Sequence, residues 1–365
     1  MVTLRGHGRA GKVRLETEDV RREIKTRFML IWACLAVGCA PPRAPEPVPA
    51  PPPPVVPSTP DEPLPTRAPP IVRPVEGTIE GGAGGLYYHI VGRGADTVLV
   101  PLGTWLEPSL GAFGERFTVV FYDPRHRGRS HAMSDSLAAT FEGDVVDLEM
   151  IRLAIGAPRV AVIGFDYYAA VAAAWAASHP QAVTRLVLLS PVEPSDSLAR
   201  SFDPPERMAR IDTVAARALV KARAAGRDTT DLAGYCEDFW RLNAPVFIGD
   251  TSRTRVAWSD WCQLPNESPA RIAAAAGYAF LSLGEGADFG ARASGLRAPT
   301  LVVHGRLDLV ANPEGAREWT RRVPGARLLW LPNVGHLPFL EDRKTVLESL
   351  IEFLAGEWPP RAEVP

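Results

Sequence analysis

Of the 40 basic residues in this 365-residue chain only four are lysines, Lys12, Lys25, Lys221 and Lys344. That scarcity reads as the bias of a GC-rich genome. Against 42 acidic residues the net charge is −2, so there is no basic footprint for nucleic acid and no such partner is expected. Histidines are few as well. His89, His126, His131 and His179 show no metal-ligand spacing with a second ligand type, and no metal or other cofactor is expected. His304, at a strand end, is expected to hydrogen-bond within the core. The glycine cluster Gly81-Gly82-Ala83-Gly84-Gly85 lacks the lysine and the following helix of a phosphate loop, so it reads as a hairpin turn between two early strands. Proline is in excess only in one segment, and elsewhere its load is ordinary. Sixteen of the 36 prolines fall in the 34 residues Pro41–Pro74, leaving 20 for the other 331.

The apolar run Phe28–Ala40 is too short to span a membrane, which takes about 20 residues. Behind Arg21, Arg22, Lys25 and Arg27 it has the layout of a signal peptide. It ends in Leu35-Ala36-Val37-Gly38-Cys39, which resembles a bacterial lipobox whose cysteine is lipidated; leucine is more usual in the place of Ala36. A free N-terminal helix with a chance cysteine is the other reading. Residues 1–38 are thus expected to be a leader that is removed, and 39–74 a lipidated Cys39 followed by an extended polyproline spacer. The mature charge would be 32 − 38 = −6. An exported protein, anchored by lipid at the bacterial cell envelope, is the expectation.

From Gly77 onward, β-rich apolar runs alternate with helical periodicity, the pattern of an α/β protein with a mostly parallel sheet covered on both faces. Strands are expected at Leu86–Val91, Thr97–Leu102, Phe117–Tyr122, Val160–Ile163, Arg185–Leu189, Thr300–His304 and Arg327–Leu331. About a hundred residues between Leu189 and Pro299 have no strand character. The expected division is a core of residues 75–192 and 296–360 with a helical lid of 193–295. Cys236 and Cys262 both fall in the lid, where an exporting cell could oxidise them to a disulfide; two separate buried thiols is the alternative. Trp240, Trp258 and Trp261 would roof a pocket or form the lid's own core.

The chemistry gathers at four places. After the strand ending at Ile163 comes Gly164-Phe165-Asp166-Tyr167-Tyr168 and then an alanine-rich helix, a strand, turn and helix that expose Asp166 beside a helix N-terminus. Asp123-Pro124-Arg125-His126-Arg127-Gly128-Arg129-Ser130 looks like a D-x-R-G-x-G-x-S loop. His304-Gly305-Arg306-Leu307-Asp308 with Pro313 looks like a loop carrying a triad acid, and Gly335-His336-Leu337-Pro338 with Glu341 like one carrying a triad histidine. Together these resemble the α/β-hydrolase superfamily, of the AB hydrolase-1 type with a proline-iminopeptidase-like framework, over Gly77–Trp358. The resemblance implies an eight-stranded, mostly parallel sheet with helices on both faces and an inserted helical lid. It implies nucleophile Asp166, acid Asp308 and base His336, in the chain order of that fold.

Asp166 departs from the commoner G-x-S-x-G. Epoxide hydrolases and haloalkane dehalogenases place Asp there: the carboxylate attacks carbon, and a histidine-activated water hydrolyses the resulting ester. On that resemblance Asp308 orients His336, and a small apolar substrate is expected. Tyr167 stands where dehalogenases commonly have a halide-binding Trp, which disfavours dehalogenation. Leu102 replaces the His of an H-G-x-P turn, and Tyr168 a glycine. The oxyanion donors implied by the fold are the amides of Tyr167 and Thr104. Epoxide hydrolases use two lid tyrosines as acids; Tyr235 and Tyr278 permit that role, or simply pack in the lid, and Trp240 is a candidate for the pocket roof. The competing reading is a peptidase- or esterase-like protein in which Asp replaced Ser, with altered or lost catalysis, acting as a binding lipoprotein.

Overall fold

The computed structural model describes residues 75–364 apart from 81–83, 133–138, 253, 255, 265, 270, 273–278, 280–281 and 284–285. The leader, Cys39 and the proline-rich spacer therefore lie outside the described residues, and so does Tyr278.

Among the described residues a single nine-stranded sheet organises the fold, one strand more than expected. Strands β1 (Glu76–Ile79), β2 (Leu86–Val91), β3 (Thr97–Pro101), β4 (Thr118–Tyr122), β5 (Val160–Phe165), β6 (Val183–Leu189), β7 (Thr300–Gly305), β8 (Arg327–Leu331) and β9 (Ala362–Glu363) lie in the order β1-β2-β4-β3-β5-β6-β7-β8-β9. The six strands from β4 across to β8 run parallel. The hairpin β1–β2 and the two-residue β9 close the edges antiparallel. β9 is too short to leave an alternating pattern in the sequence, which is why the ninth strand was not foreseen. Every residue of β4, β5 and β7 is buried. Since alternate side chains point to opposite faces, both faces must be covered, as continuous apolar runs in a parallel sheet imply.

Helices α1 (Gly103–Leu110), α2 (Phe141–Ala154) and α3 (Tyr167–Ser178) follow β3, β4 and β5. Thr140 caps α2 by accepting the Gly143 amide at 3.0 Å, and Glu142 and Asp144 place acid in its first turn. α3 is apolar all round, nine of its twelve residues being buried; its alanines let it approach β5 and β6 closely. Between β6 and β7 no strand occurs among the described residues. Helices α4 (Asp196–Ser201), α5 (Pro205–Ala209), α6 (Thr213–Ala224), α7 (Arg227–Thr230), α8 (Leu232–Phe247), α9 (Trp258–Cys262) and α10 (Phe289–Arg292) fill the segment instead. After β7 come α11 (Pro313–Arg322), then α12 (Pro338–Glu341) and α13 (Arg343–Leu354) beyond β8.

Candidate active site

β5 ends at Phe165 and α3 begins at Tyr167, so Asp166 alone makes the turn, at φ 52° and ψ −125°. A non-glycine residue there costs on the order of 1–3 kcal/mol and persists only where its surroundings impose it. Gly164 is part of the imposition. A Cβ on it would lie 2.5 Å from the Tyr168 carbonyl oxygen and 2.6 Å from the Ala169 Cα, so only glycine lets the helix start this close to the strand. Tyr168, at the position where a small residue is usual, is buried with its ring edge-on to Tyr167 at 5.0 Å.

Asp308 leaves the end of β7 and His336 the loop after β8, which brings three residues from distant parts of the chain together. His336 Nδ1 lies 2.8 Å from Asp308 Oδ2, and His336 Nε2 lies 3.8 Å from Asp166 Oδ1. Asp308 Oδ1 accepts the amides of Val310 (2.8 Å) and Ala311 (3.0 Å). His304 Nε2 approaches Asp308 Oδ2 at 3.3 Å, so the histidine expected to bond within the core does so on Asp308. Burial opposes the charge on Asp308, but His336 and these donors hold its carboxyl below the usual range. For His336 burial also opposes charge, and the attraction of Asp308, its hydrogen bond and then Asp166 outweigh it, raising the pKa to about 9. Asp166 is pushed upward by burial, against the pull of His336 and of a hydrogen bond from the Tyr167 amide. The His336 loop is fixed from the lid side. Glu341 accepts the amides of Gly335, Leu337 and Gly249, and the His336 amide donates to Phe247 O at 2.7 Å.

The expected oxyanion pair is only half present. The Tyr167 amide serves the Asp166 carboxylate, but the Thr104 amide donates to Asp123 Oδ1 at 2.8 Å and its hydroxyl to Asp123 Oδ2 at 2.7 Å. The cause lies in the Asp123–Ser130 loop. Gly128, at φ 50°, leaves room for the Asp123 carboxylate where a Cβ would stand 2.2 Å from Oδ2, and this buried carboxylate takes its donors from Thr104 and the Arg129 amide (2.9 Å). Leu102, left-handed at φ 58° where the chain breaks from β3 into α1, also reaches the pocket wall.

A cavity of about 150 Å³ opens over Asp166, close in size to an engineered cavity that binds benzene. Leu102, Trp105, Phe165, Phe247, Ile272 and Ala279 make its apolar wall; Arg125, Arg127, Asp144, Tyr167, Tyr168 and His336 are its polar groups. Tyr235 and Trp240 are not on that wall. Tyr235 is 2% exposed, its hydroxyl without a hydrogen-bond partner among the described residues, and Trp240 belongs to a cluster in which Trp105 stacks on Trp261 (4.2 Å) and Trp240 on Trp258 (5.4 Å). Both are lid core, because α8 turns its apolar face to α9 and α1. None of the expected roof tryptophans Trp240, Trp258 and Trp261 is on the pocket wall; the tryptophan that lines it is Trp105, from the core. The structure joins Cys236 to Cys262, with Cα atoms 5.5 Å apart, and so ties α8 to α9.

Two groups of the site were not singled out from sequence. Glu267, in the lid, accepts Arg127 Nε and a terminal guanidinium nitrogen at 3.0 Å each, the Gly128 amide at 2.7 Å and Trp105 Nε1 at 2.8 Å. Asp144 accepts the Tyr167 hydroxyl at 2.8 Å. Burial pushes its carboxyl up to about 7, with Asp147 adding to the rise and Tyr167 and Arg125 opposing it. The capping Thr140 with Asp144 in the first turn was the available signal for the second; Glu267 left none, since its partners are 139 to 162 residues away in sequence.

With a strand-turn-helix elbow and an acid–histidine relay at the ends of parallel strands, the comparison with known proteins is decisive. The family described as "alpha/beta hydrolase fold" matches residues 80–343. The chain belongs to that family. It is 27% identical over 270 residues to polyketide synthase ThaQ of Burkholderia thailandensis, matching 72% of this chain and 12% of that one. It is 30% identical over 149 residues to a pimeloyl-acyl-carrier-protein methyl ester esterase of Nitrosomonas europaea, covering 37% of this chain and 58% of the esterase. The chain thus spans less than two thirds of either relative. Among solved structures, the enol-lactonase of Burkholderia xenovorans LB400 overlays with a TM-score of 0.58 at 22% identity, over 76% of this chain and all of the lactonase.

Proposed function

We propose that the protein hydrolyses a small, largely apolar electrophile through a covalent ester on Asp166, in the manner of an epoxide hydrolase. Asp166 attacks carbon, the substrate C–O bond breaks, and a water activated by His336 hydrolyses the ester. Asp308 orients His336 and stabilises its imidazolium. The observation that carries this reading is the gap at His336 Nε2. This nitrogen is buried, has no hydrogen-bond partner among the described residues, and lies 3.8 Å from Asp166 Oδ1, within reach of the ester that would form there and of a water attacking it. The electrostatics support the sequence of steps. While Asp166 is ionised it helps keep His336 charged; esterification removes that charge and lowers the imidazole's affinity for its proton, which frees it to act as base when a base is needed. Replacing His336 by Ala should arrest the second step, so incubation with small epoxides should leave an adduct on the Asp166 peptide by mass spectrometry. An active enzyme whose His336→Ala variant never carries one would contradict the proposal.

The esterase and lactonase relatives favour a second reading, an ester-hydrolysing framework in which Asp stands for Ser. On that reading Asp166→Ser gains hydrolysis of small acyl esters, and the native protein binds such ligands without turnover.

We further propose that the chain is exported and held at the bacterial cell envelope by lipid on Cys39, the spacer of residues 41–74 reaching roughly 100 Å from the membrane. The Cys236–Cys262 disulfide supports an oxidising compartment. Metabolic labelling with a radioactive fatty acid should mark the wild type and not Cys39→Ser; equal labelling would refute the anchor.

A further inference from the structure

Attack on carbon in line with a breaking C–O bond sends the leaving oxygen away from the nucleophile. His336 Nε2 lies on the nucleophile's side, 3.8 Å from Asp166 Oδ1, so a proton for that oxygen must come from another part of the cavity wall. Tyr235 is not on the wall. Of the described residues lining it, Asp144 is the only carboxyl group besides Asp166. It sits in the first turn of α2, and its Oδ2 accepts the hydroxyl of Tyr167, the residue next to the nucleophile, at 2.8 Å.

The arginines that could keep Asp144 ionised are committed elsewhere. Arg125 makes a two-pronged pair with Asp147, and Arg127 makes one with Glu267. Burial and the neighbouring Asp147 hold the Asp144 carboxyl near neutrality, the range in which a group donates and regains protons efficiently. Tyr168, also on the wall, is a far weaker acid, because burial pushes its phenol well above the ordinary value.

We propose that the Asp144 carboxyl is the proton donor to the oxygen released when Asp166 attacks, with the Tyr167 phenol fixing its orientation. The inference rests on the Asp166 ester proposed above. In the step, an Asp166 oxygen forms a bond to the epoxide carbon and the ring C–O bond breaks with its electron pair on oxygen. The Asp144 proton moves to that oxygen, leaving Asp144 a carboxylate and the substrate a hydroxyalkyl ester. Water then cleaves the ester with His336 as base, and the proton so released restores Asp144. The sum is epoxide plus water giving a diol.

The test uses the full chain carrying His336→Ala, in which the ester accumulates, and two probes of similar size. 1,2-Epoxybutane needs a proton on its leaving oxygen; 1-bromobutane expels bromide without one. The rate of adduct formation on the Asp166 peptide is read by mass spectrometry. Adding Asp144→Asn, which retains the shape and an acceptor for Tyr167, should slow the epoxide adduct by about 100-fold or more and the bromide adduct by less than about 2-fold. The bromide rate also reports that the site is intact. Equal slowing of both probes, or of neither, would overturn the proton-donor role while leaving the ester standing. The selective loss appearing in Tyr168→Phe instead would assign the proton to Tyr168 and overturn it as well. No adduct from either probe in His336→Ala alone would remove the Asp166 nucleophile, and this inference with it.

Discussion

Glu267 offers the sharpest test of how the lid is held on the core. Its carboxylate is 1% exposed and collects four hydrogen bonds, two from Arg127, one from the Gly128 amide and one from Trp105 Nε1. Glu267→Gln keeps the shape but turns one acceptor oxygen into a donor facing donors, and it leaves the buried Arg127 without a counter-charge. Breaking one side of a buried pair costs about 3–5 kcal/mol; with one acceptor retained, about 3 kcal/mol is expected. At about 2–4 °C per kcal/mol for a domain of this size, the melting temperature should fall by about 6–12 °C, measured by calorimetry. The cause is separable from mere loss of packing. Adding Arg127→Met removes the stranded charge, so the double variant should be more stable than the sum of the single losses by about 1.5 kcal/mol or more in a double-mutant cycle. Additivity within about 0.5 kcal/mol would refute the buried ion pair as the lid's fastening.

Other outcomes follow from the same geometry. Cys236→Ala with Cys262→Ala opens a loop of 26 residues and should lower stability by about 3.5 kcal/mol in urea unfolding on the chain-entropy treatment; no change would mean that the tryptophan cluster alone holds α8 to α9. Gly164→Ala should cost more than about 3 kcal/mol or prevent soluble expression, since its Cβ meets backbone at 2.5 Å; a normal melting curve would contradict the elbow. The His336 ring should titrate near pH 9 by NMR, and at lower pH in Asp166→Asn. Because the folded pKa lies above the unfolded value of about 6.5, the imidazolium's contribution to stability is complete below pH 6.5 and lost as pH rises through 9. An unshifted titration in Asp166→Asn would show that the two residues do not interact.

How much was legible in the sequence depended on how local each signal was. The elbow and the parallel strands could be read because turn, helix start and apolar run each fall within a few residues. The half-missing oxyanion hole could not. It depends on Gly128 admitting Asp123 to Thr104, a contact across 19 residues between two loops. Tyr235 and Trp240 were candidates for the pocket because they belong to the lid, but the rotation of α8 about its axis decides which face meets the cavity, and that follows from its packing on Trp105 and Trp261. Asp144 and Glu267 look like ordinary surface acids in sequence; burial alone gives them their roles.

The most direct test of Asp166 as nucleophile is a single turnover in ¹⁸O-water, followed by mass spectrometry of the peptide containing Asp166. Ester hydrolysis by attack at its carbonyl predicts one ¹⁸O in the Asp166 carboxylate and none in the first-turnover product. An unlabelled Asp166 beside a labelled product would contradict it.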